Sequence, residues 1–220
     1  MKLVIDISHW EHVSDWREVS EQIDGAYLKA TQRHNWTDAT FNPNRVGCKS
    51  VGIPWGAYHF WEETTTGVVQ ANHFLAVLNG AFGQLPPCLD FEPFYIGQHP
   101  SRLGALSSIK SFMETIEQKA GIKPIFYSNP DHINFLKPVP EWLLTHGLWI
   151  ADYSAKTVPD FEPWKSWVMW QFSDAGTLEG VDDAVDFNHA QDSFLGHVTQ
   201  PEKTDKEKID ELWKWYTTFK

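Results

Sequence analysis

The feature that most constrains the fold of this chain is the recurrence of short apolar runs separated by longer polar segments. Eight runs rich in β-branched and aromatic residues occur at positions 3–7, 26–30, 54–60, 87–91, 124–127, 148–151, 168–172 and 185–187. The first five are separated by segments long enough for a helix. Such alternation is typical of parallel strands joined by crossover helices. About eight strands at this spacing predict a closed α/β barrel.

The spacing changes towards the C-terminus. After Leu148 the runs lie too close together for full helices between them, so we expect the barrel to be irregular there. From Thr199 the chain becomes a polar linker, and within residues 207–220 the apolar positions Ile209, Leu212, Trp213 and Tyr216 follow helical spacing. The sequence therefore predicts a barrel domain at 1–198. At 199–220 it predicts a linker and an amphipathic C-terminal helix, which would pack on the barrel or mediate self-association.

Charge and motif content exclude several classes of function. The 220 residues carry a net charge of −11, from 18 basic and 29 acidic side chains, which argues against nucleic acid or an anionic membrane as a partner. Neither a metal-binding cluster nor a phosphate-binding glycine loop is present, so no metal or cofactor is expected. Cys48 and Cys88 are expected to be buried free thiols. With no secretory signal and no apolar stretch of membrane-spanning length, the chain is expected to be made in the cytoplasm without membrane insertion.

The sequence Leu89-Asp90-Phe91-Glu92 places two acids two positions apart at the end of a buried run. In a strand, residues i and i+2 share a face, and the carboxyl end of a barrel strand opens onto the face where barrel enzymes hold their chemistry. Two neighbouring carboxyl groups disfavour each other's ionisation, so the more enclosed one should keep its proton nearer neutral pH. Such a pair suits glycosidic bond cleavage. A short acid pair can also cap a helix or bind a lysine, and the motif alone leaves these readings open.

The other predicted strands also carry polar or amphipathic residues near their ends. A single residue of this kind is more often a satisfied core residue, but a ring of them at one barrel mouth is hard to explain by packing alone. The candidates are Asp6, Lys29, Tyr58, His59, Tyr127, Tyr153, Gln171 and Asp186. The high aromatic content, 15% of residues, fits a groove that stacks on ring-shaped ligands.

Eight short stretches, in this order, resemble the family 25 glycoside hydrolases, the Chalaropsis-type lysozymes common among bacteriophage endolysins. They are VIDISHW at 4–10, AYLKAT at 26–31, GAYHF at 56–60, LDFE at 89–92, PIFY at 124–127, LWIADY at 148–153, WQF at 170–172 and VDFN at 185–188. The resemblance covers about residues 3–190. It implies an irregular TIM-like (β/α)5(β)3 barrel. It also implies a muramidase that cleaves the β-1,4 bond between N-acetylmuramic acid and N-acetylglucosamine in bacterial peptidoglycan.

The resemblance also implies roles for individual residues. Glu92 would protonate the leaving oxygen, and Asp90 would assist at the anomeric centre or orient the 2-acetamido group. Asp6 and Asp186 would complete an acidic floor. The sugar groove would be lined by Tyr58, Tyr127, Trp149 and Gln171. A retaining, an inverting and a substrate-assisted mechanism all remain possible at this point.

The chain departs from the family pattern at Glu11, which replaces the usual glutamine, and in the loop at 62–66. A chitinase-like glycosidase is an alternative, although such enzymes carry a D-x-D-x-E motif and Cys88 stands at the outer aspartate position here. A wall-binding lectin is the non-enzyme alternative. If the chain is a phage lysin, we expect it to reach the cell wall through a membrane pore formed by another protein.

Overall fold

A computed structural model describes residues 1–157 and 161–196, and its nine strands within these ranges form one sheet that closes into a barrel. The strands are β1 (Lys2–Ile7), β2 (Gly25–Gln32), β3 (Trp36–Thr37), β4 (Trp55–Phe60), β5 (Cys88–Asp90), β6 (Ile125–Ser128), β7 (Leu148–Ala151), β8 (Met169–Gly176) and β9 (Val185–Ala190). Eight of them form the barrel in the order β1-β2-β4-β5-β6-β7-β8-β9, and β9 pairs back with β1. All eight predicted runs are barrel strands.

Helices cover the outside of the barrel between the first five barrel strands and after β6. They are α1 (Trp16–Ser20), α2 (Phe41–Val51), α3 (Gly67–Leu78), α4 (Arg102–Ala120), α5 (Pro130–Leu136) and α6 (Glu141–Leu144), with α7 (Asp192–Gly196) following β9. No helix lies between β7 and β9 in the described residues. The barrel strands from β1 to β8 are parallel, whereas β9 runs antiparallel to both β8 and β1. This is the expected barrel of five β/α units followed by three strands.

The short strand β3 was not predicted. It pairs antiparallel with the end of β2, through Thr31 opposite Thr37 and Gln32 opposite Trp36. Two residues are too few to show the alternation by which a strand is recognised.

Residues two positions apart on a strand share a face, and along the inward face the lower positions are apolar and the upper positions are polar. On β1, for example, Val4 belongs to the apolar interior cluster and Asp6 stands above it on the same face. Phe194 and Leu195 of α7 pack against that cluster. The apolar layer thus fills the interior at the amino ends of the parallel strands. The polar layer lies at their carboxyl ends, where it faces the opening of the barrel.

Close packing of the helix layer depends on one glycine in α3. A Cβ atom on Gly67 would stand 1.8 Å from the carbonyl oxygen of Ser108 in α4, so a larger residue would force the two helices apart. The long helix α4 is capped at its N-terminus by Ser101, whose side chain accepts a hydrogen bond from the Gly104 N–H. It is capped at its C-terminus by Gly121, which adopts the left-handed conformation that favours glycine.

Cys48 and Cys88 are free and buried, as predicted. None of the described helices is long and apolar enough to cross a membrane. The predicted linker and helix at 199–220, and with them the domain boundary at 198, lie outside the described residues.

Candidate active site

A cleft of about 760 Å³ opens at the carboxyl ends of the parallel strands. Eight carboxyl side chains line it: Asp6, Glu11, Asp90, Glu92, Asp131, Asp152, Asp174 and Asp186. Among the described lining residues, Lys29 is the one basic side chain. Of the predicted substrate contacts, Lys29, Tyr58, Tyr127, Trp149, Tyr153 and Gln171 also line the cleft.

The acid pair is placed by the end of β5. Phe91 is fully buried and its ring lies 5.0 Å from that of Trp61, so it points away from the cleft into the surrounding apolar core. Asp90 and Glu92, one position to either side, both line the cleft. The Oδ1 atom of Asp90 is buried and has no hydrogen-bond partner within the described residues. The alternation read from the sequence therefore holds at this strand end.

Burial raises the pKa of both acids. The pKa of Asp90 is held well above its ordinary value by burial and then by the neighbouring Glu92 carboxylate. The pKa of Glu92 rises to about 7 through burial and the nearby Asp6, against the opposing charge of Lys29. Asp90 is the more enclosed acid, while Glu92 is partly open to the cleft. A pKa raised towards neutrality suits Glu92 to the work of a general acid.

A second acid pair forms where the barrel closes. Asp6 on β1 lies directly opposite Asp186 on the antiparallel strand β9. Burial raises the pKa of Asp6 to about 6, although hydrogen bonds from Asn188 and Gln171 act against the rise. Burial and the facing Asp6 raise the pKa of Asp186 to about 9. Two facing carboxyl groups with these values hold one proton between them at neutral pH.

Gln171 connects this second pair to two tyrosines. Its Nε2 donates to Asp6 Oδ2 at 2.9 Å and to Asp186 Oδ2 at 3.1 Å. Its Oε1 accepts from the hydroxyl groups of Tyr127 and Tyr153, both at 2.7 Å. Since the side chain is nearly fully buried, one amide fixes the positions of two acids and two hydroxyl groups.

Asn188 completes the floor, and the sequence interpretation did not include it. Its Nδ2 donates to Asp6 Oδ2 at 2.7 Å and to the Val4 carbonyl oxygen at 3.2 Å. Its Oδ1 accepts from Trp149 Nε1 at 2.7 Å. Asn188 stands two positions after Asp186 on the same strand, and this i+2 relation, used to pair Asp90 with Glu92, was the signal that could have identified it.

Lys29 lies against aromatic rings beside the acids. Its Nζ is 4.6 Å from the centre of the Phe60 ring and 5.4 Å from that of Trp36. Burial lowers the pKa of Lys29, while the Asp90 carboxylate acts in the opposite direction. The ring faces offset part of the loss of hydration of the ammonium group.

The prediction that His59 contacts substrate is wrong. This side chain is fully buried on the outer side of β4, where its Nδ1 lies 2.7 Å from Thr31 Oγ1 and its Nε2 lies 3.0 Å from Gln70 Oε1. Its ring also stacks on Phe112 of α4 at 5.0 Å. Tyr58 faces the cleft, so its neighbour His59 must face the helices.

Several further residues that line the cleft come from the segments that follow the strands and, in the case of Asp174, from the end of β8. They are Ser8, Trp10, Glu11, Tyr95, Asn129, Pro130, Asp131, Ser154 and Asp174. Glu11, where the chain departs from the family pattern, accepts hydrogen bonds from the Ser8 N–H at 2.7 Å and the Ser8 hydroxyl at 3.1 Å. Within the described residues, no group of three or more His, Cys, Asp and Glu side chains is arranged to hold a metal ion.

Comparison with known proteins places this geometry in a family. The model of "Glycosyl hydrolases family 25" matches residues 5–181. Lysozyme M1 of Streptomyces globisporus is 30% identical over 196 residues, which cover 84% of this chain and 66% of that protein. The uncharacterized protein YegX of Escherichia coli K12 is 29% identical over 196 residues, 84% of this chain and 67% of its own. The chain thus spans about two thirds of the length of these relatives.

Solved structures superpose on this barrel. A bacterial lysozyme from Streptomyces coelicolor superposes with a TM-score of 0.81 at 24% identity, over 90% of this chain and 96% of that one. The CTP1L endolysin superposes with a TM-score of 0.76 at 25% identity, over 93% of this chain and 71% of that one. The likeness to the Streptomyces coelicolor enzyme supports the fold of this chain.

Proposed function

The chain belongs to family 25 of the glycosyl hydrolases, and from that premise we propose that it is an N-acetylmuramidase. It would cleave the β-1,4 bond between N-acetylmuramic acid and N-acetylglucosamine in peptidoglycan. The observation that carries the proposal is the position of Asp90 and Glu92, which project together into a cleft at the carboxyl end of β5. The similarity to Lysozyme M1 supports the same class of substrate.

In the proposed reaction Glu92 is the general acid. With a pKa of about 7, its carboxyl group keeps a proton at mildly acidic pH and can transfer it to the glycosidic oxygen as the bond to the anomeric carbon breaks. A water molecule then supplies the hydroxyl group of the new reducing end, and its remaining proton returns to the Glu92 carboxylate. Asp90 acts on the sugar itself, since its unpaired Oδ1 is available to the anomeric centre or to the 2-acetamido N–H.

The floor of the cleft stabilises charge in the proposed mechanism. Asp6 and Asp186 hold one proton between them and therefore keep one negative charge beneath the sugar at neutral pH. That charge favours the positive character which the anomeric carbon gains in the transition state. The sugar rings would contact Tyr58, Tyr127, Trp149, Tyr153, Gln171 and Lys29.

The variant Glu92→Gln tests the assignment. It removes the transferable proton while keeping the size of the side chain, so release of new reducing ends from purified peptidoglycan should disappear and the circular dichroism spectrum should not change. Full activity in this folded variant would remove Glu92 from the role of acid.

The identity of the new reducing sugar tests the bond. Mass spectrometry of the released fragments should show muramic acid at the new ends. Glucosamine at those ends would instead favour cleavage of the chitinase type, and saturable binding to peptidoglycan without any released fragment would favour a lectin.

For the biological role we propose lysis of a bacterial host at the end of a phage cycle, on the basis of the similarity to the CTP1L endolysin. Expression inside a bacterium should cause lysis when a pore-forming membrane protein is co-expressed, and purified enzyme should digest isolated walls. Digestion of isolated walls without lysis in the presence of the pore would argue for a different role.

A further inference from the structure

Three aromatic rings form a shelf beside the cleft, next to the end of β1. The shelf consists of His9, Trp10 and Trp36, with the His9 ring centre 4.5 Å from that of Trp10 and 5.1 Å from that of Trp36. Trp10 is 74% exposed and lines the cleft. Trp10 therefore presents an open aromatic face at the edge of the cleft, to which a ring-shaped ligand could stack.

The His9 ring is held in one orientation by a buried acid. Its Nδ1 lies 3.0 Å from Asp38 Oδ2, and the same oxygen accepts the His9 backbone N–H at 3.0 Å. Asp38 is buried, and its other oxygen accepts from the N–H and the hydroxyl group of Thr40 at 2.9 and 2.6 Å. Within the described residues Nε2 of His9 makes no hydrogen bond, which leaves it available to a ligand.

Lys29 joins the shelf to the acids. Its Nζ lies over the Trp36 ring at 5.4 Å, and its charge acts on Asp90 and Glu92 inside the cleft. The shelf is therefore continuous with the place where the bond would be cleaved. A long ligand lying along the cleft would reach both.

We propose that the shelf is an additional sugar-binding subsite, which holds a more distant residue of the peptidoglycan glycan strand. The inference rests on the proposed function. The apolar face of the pyranose ring stacks on Trp10, and Nε2 of His9 forms a hydrogen bond with a hydroxyl or acetamido group of the same sugar. Only glycan strands long enough to extend from the acid pair to the shelf gain these contacts.

The test is the dependence of catalysis on glycan length. Peptidoglycan oligomers of defined length are digested by the wild type and by Trp10→Ala, and kcat/KM is measured for the shortest cleaved oligomer and for longer ones. On the longer oligomers Trp10→Ala should lose roughly three- to tenfold, the range expected for one aromatic stacking contact. The loss should be at least about threefold smaller on the shortest oligomer. His9→Ala should show the same dependence on length.

Leu103→Ala is the matched control, because Leu103 has the same exposure of 74% on α4 and does not line the cleft. Its kcat/KM should equal that of the wild type at every length. An equal loss for Trp10→Ala at all lengths, or no loss on long oligomers, refutes the subsite. Cleavage of the shortest oligomer by the wild type tests the proposed function separately, so the two ideas can fail independently.

Discussion

Glu92→Gln is expected to stabilise the protein at alkaline pH while it abolishes hydrolysis. Burial and the nearby Asp6 raise the pKa of Glu92 from 4.5 to about 7, so the folded protein binds this proton more tightly than the unfolded chain does. The stability associated with the protonated group is fully present below pH 4.5 and is lost as pH rises to about 7. Glutamine carries no such penalty, because it remains neutral at every pH.

The size of the effect follows from the pKa. A rise from 4.5 to about 7 corresponds to about 3 kcal/mol at pH 8. This is an upper value, because Asp90 and Asp6 share the electrostatic interaction and part of the side chain contacts solvent. For a chain of this size each kcal/mol shifts Tm by about 2–4 °C, so the variant should melt up to about 10 °C above the wild type at pH 8.

Thermal unfolding of both proteins between pH 4 and pH 8, at constant ionic strength, measures the difference. The two Tm values should converge near pH 4 and separate as pH rises. Glu63→Gln is a suitable control, because Glu63 is exposed and does not line the cleft, and it should change Tm little at any pH. A constant offset between Glu92→Gln and the wild type, or a variant less stable at pH 8, would refute the assigned pKa and its cause.

Three further predictions concern the same site and its support. The pH dependence of kcat/KM should show activity falling as pH rises through about 7, since ionised Glu92 has no proton to donate; a flat profile to pH 9 would contradict this. Asn188→Ala should lower the free energy of unfolding by about 1–3 kcal/mol in denaturant titrations, because it leaves the Trp149 Nε1 donor without its buried partner. Gly67→Ala should destabilise the protein by about 1–3 kcal/mol without changing the pH profile, since its Cβ would clash with α4.

Strand alternation explains how much of the site was predictable. Each barrel strand turns every second residue inward, so Asp90 and Glu92 could be assigned to one face from their spacing alone. The same rule, applied to Tyr58 and His59, shows why the error at His59 was avoidable: adjacent residues of a strand cannot both face the cleft.

Other parts of the site depend on contacts between distant segments. Gln171 contacts Asp6 from 165 positions away, and no local pattern records such a pairing. Trp10 comes from the segment after β1, which shows no periodicity. The sequence also could not establish which acid of the pair is more enclosed, because that depends on how the neighbouring strands and Glu92 surround Asp90.

The barrel closes only when β9 pairs with β1, and these two strands lie at opposite ends of the described chain. Asp6 lies on β1, but the side chains that complete its surroundings, Asp186 and Asn188, are translated more than 170 residues later. A nascent chain that has not yet produced β9 has an open sheet and only half of its catalytic floor. Products that terminate before β9 should therefore be inactive.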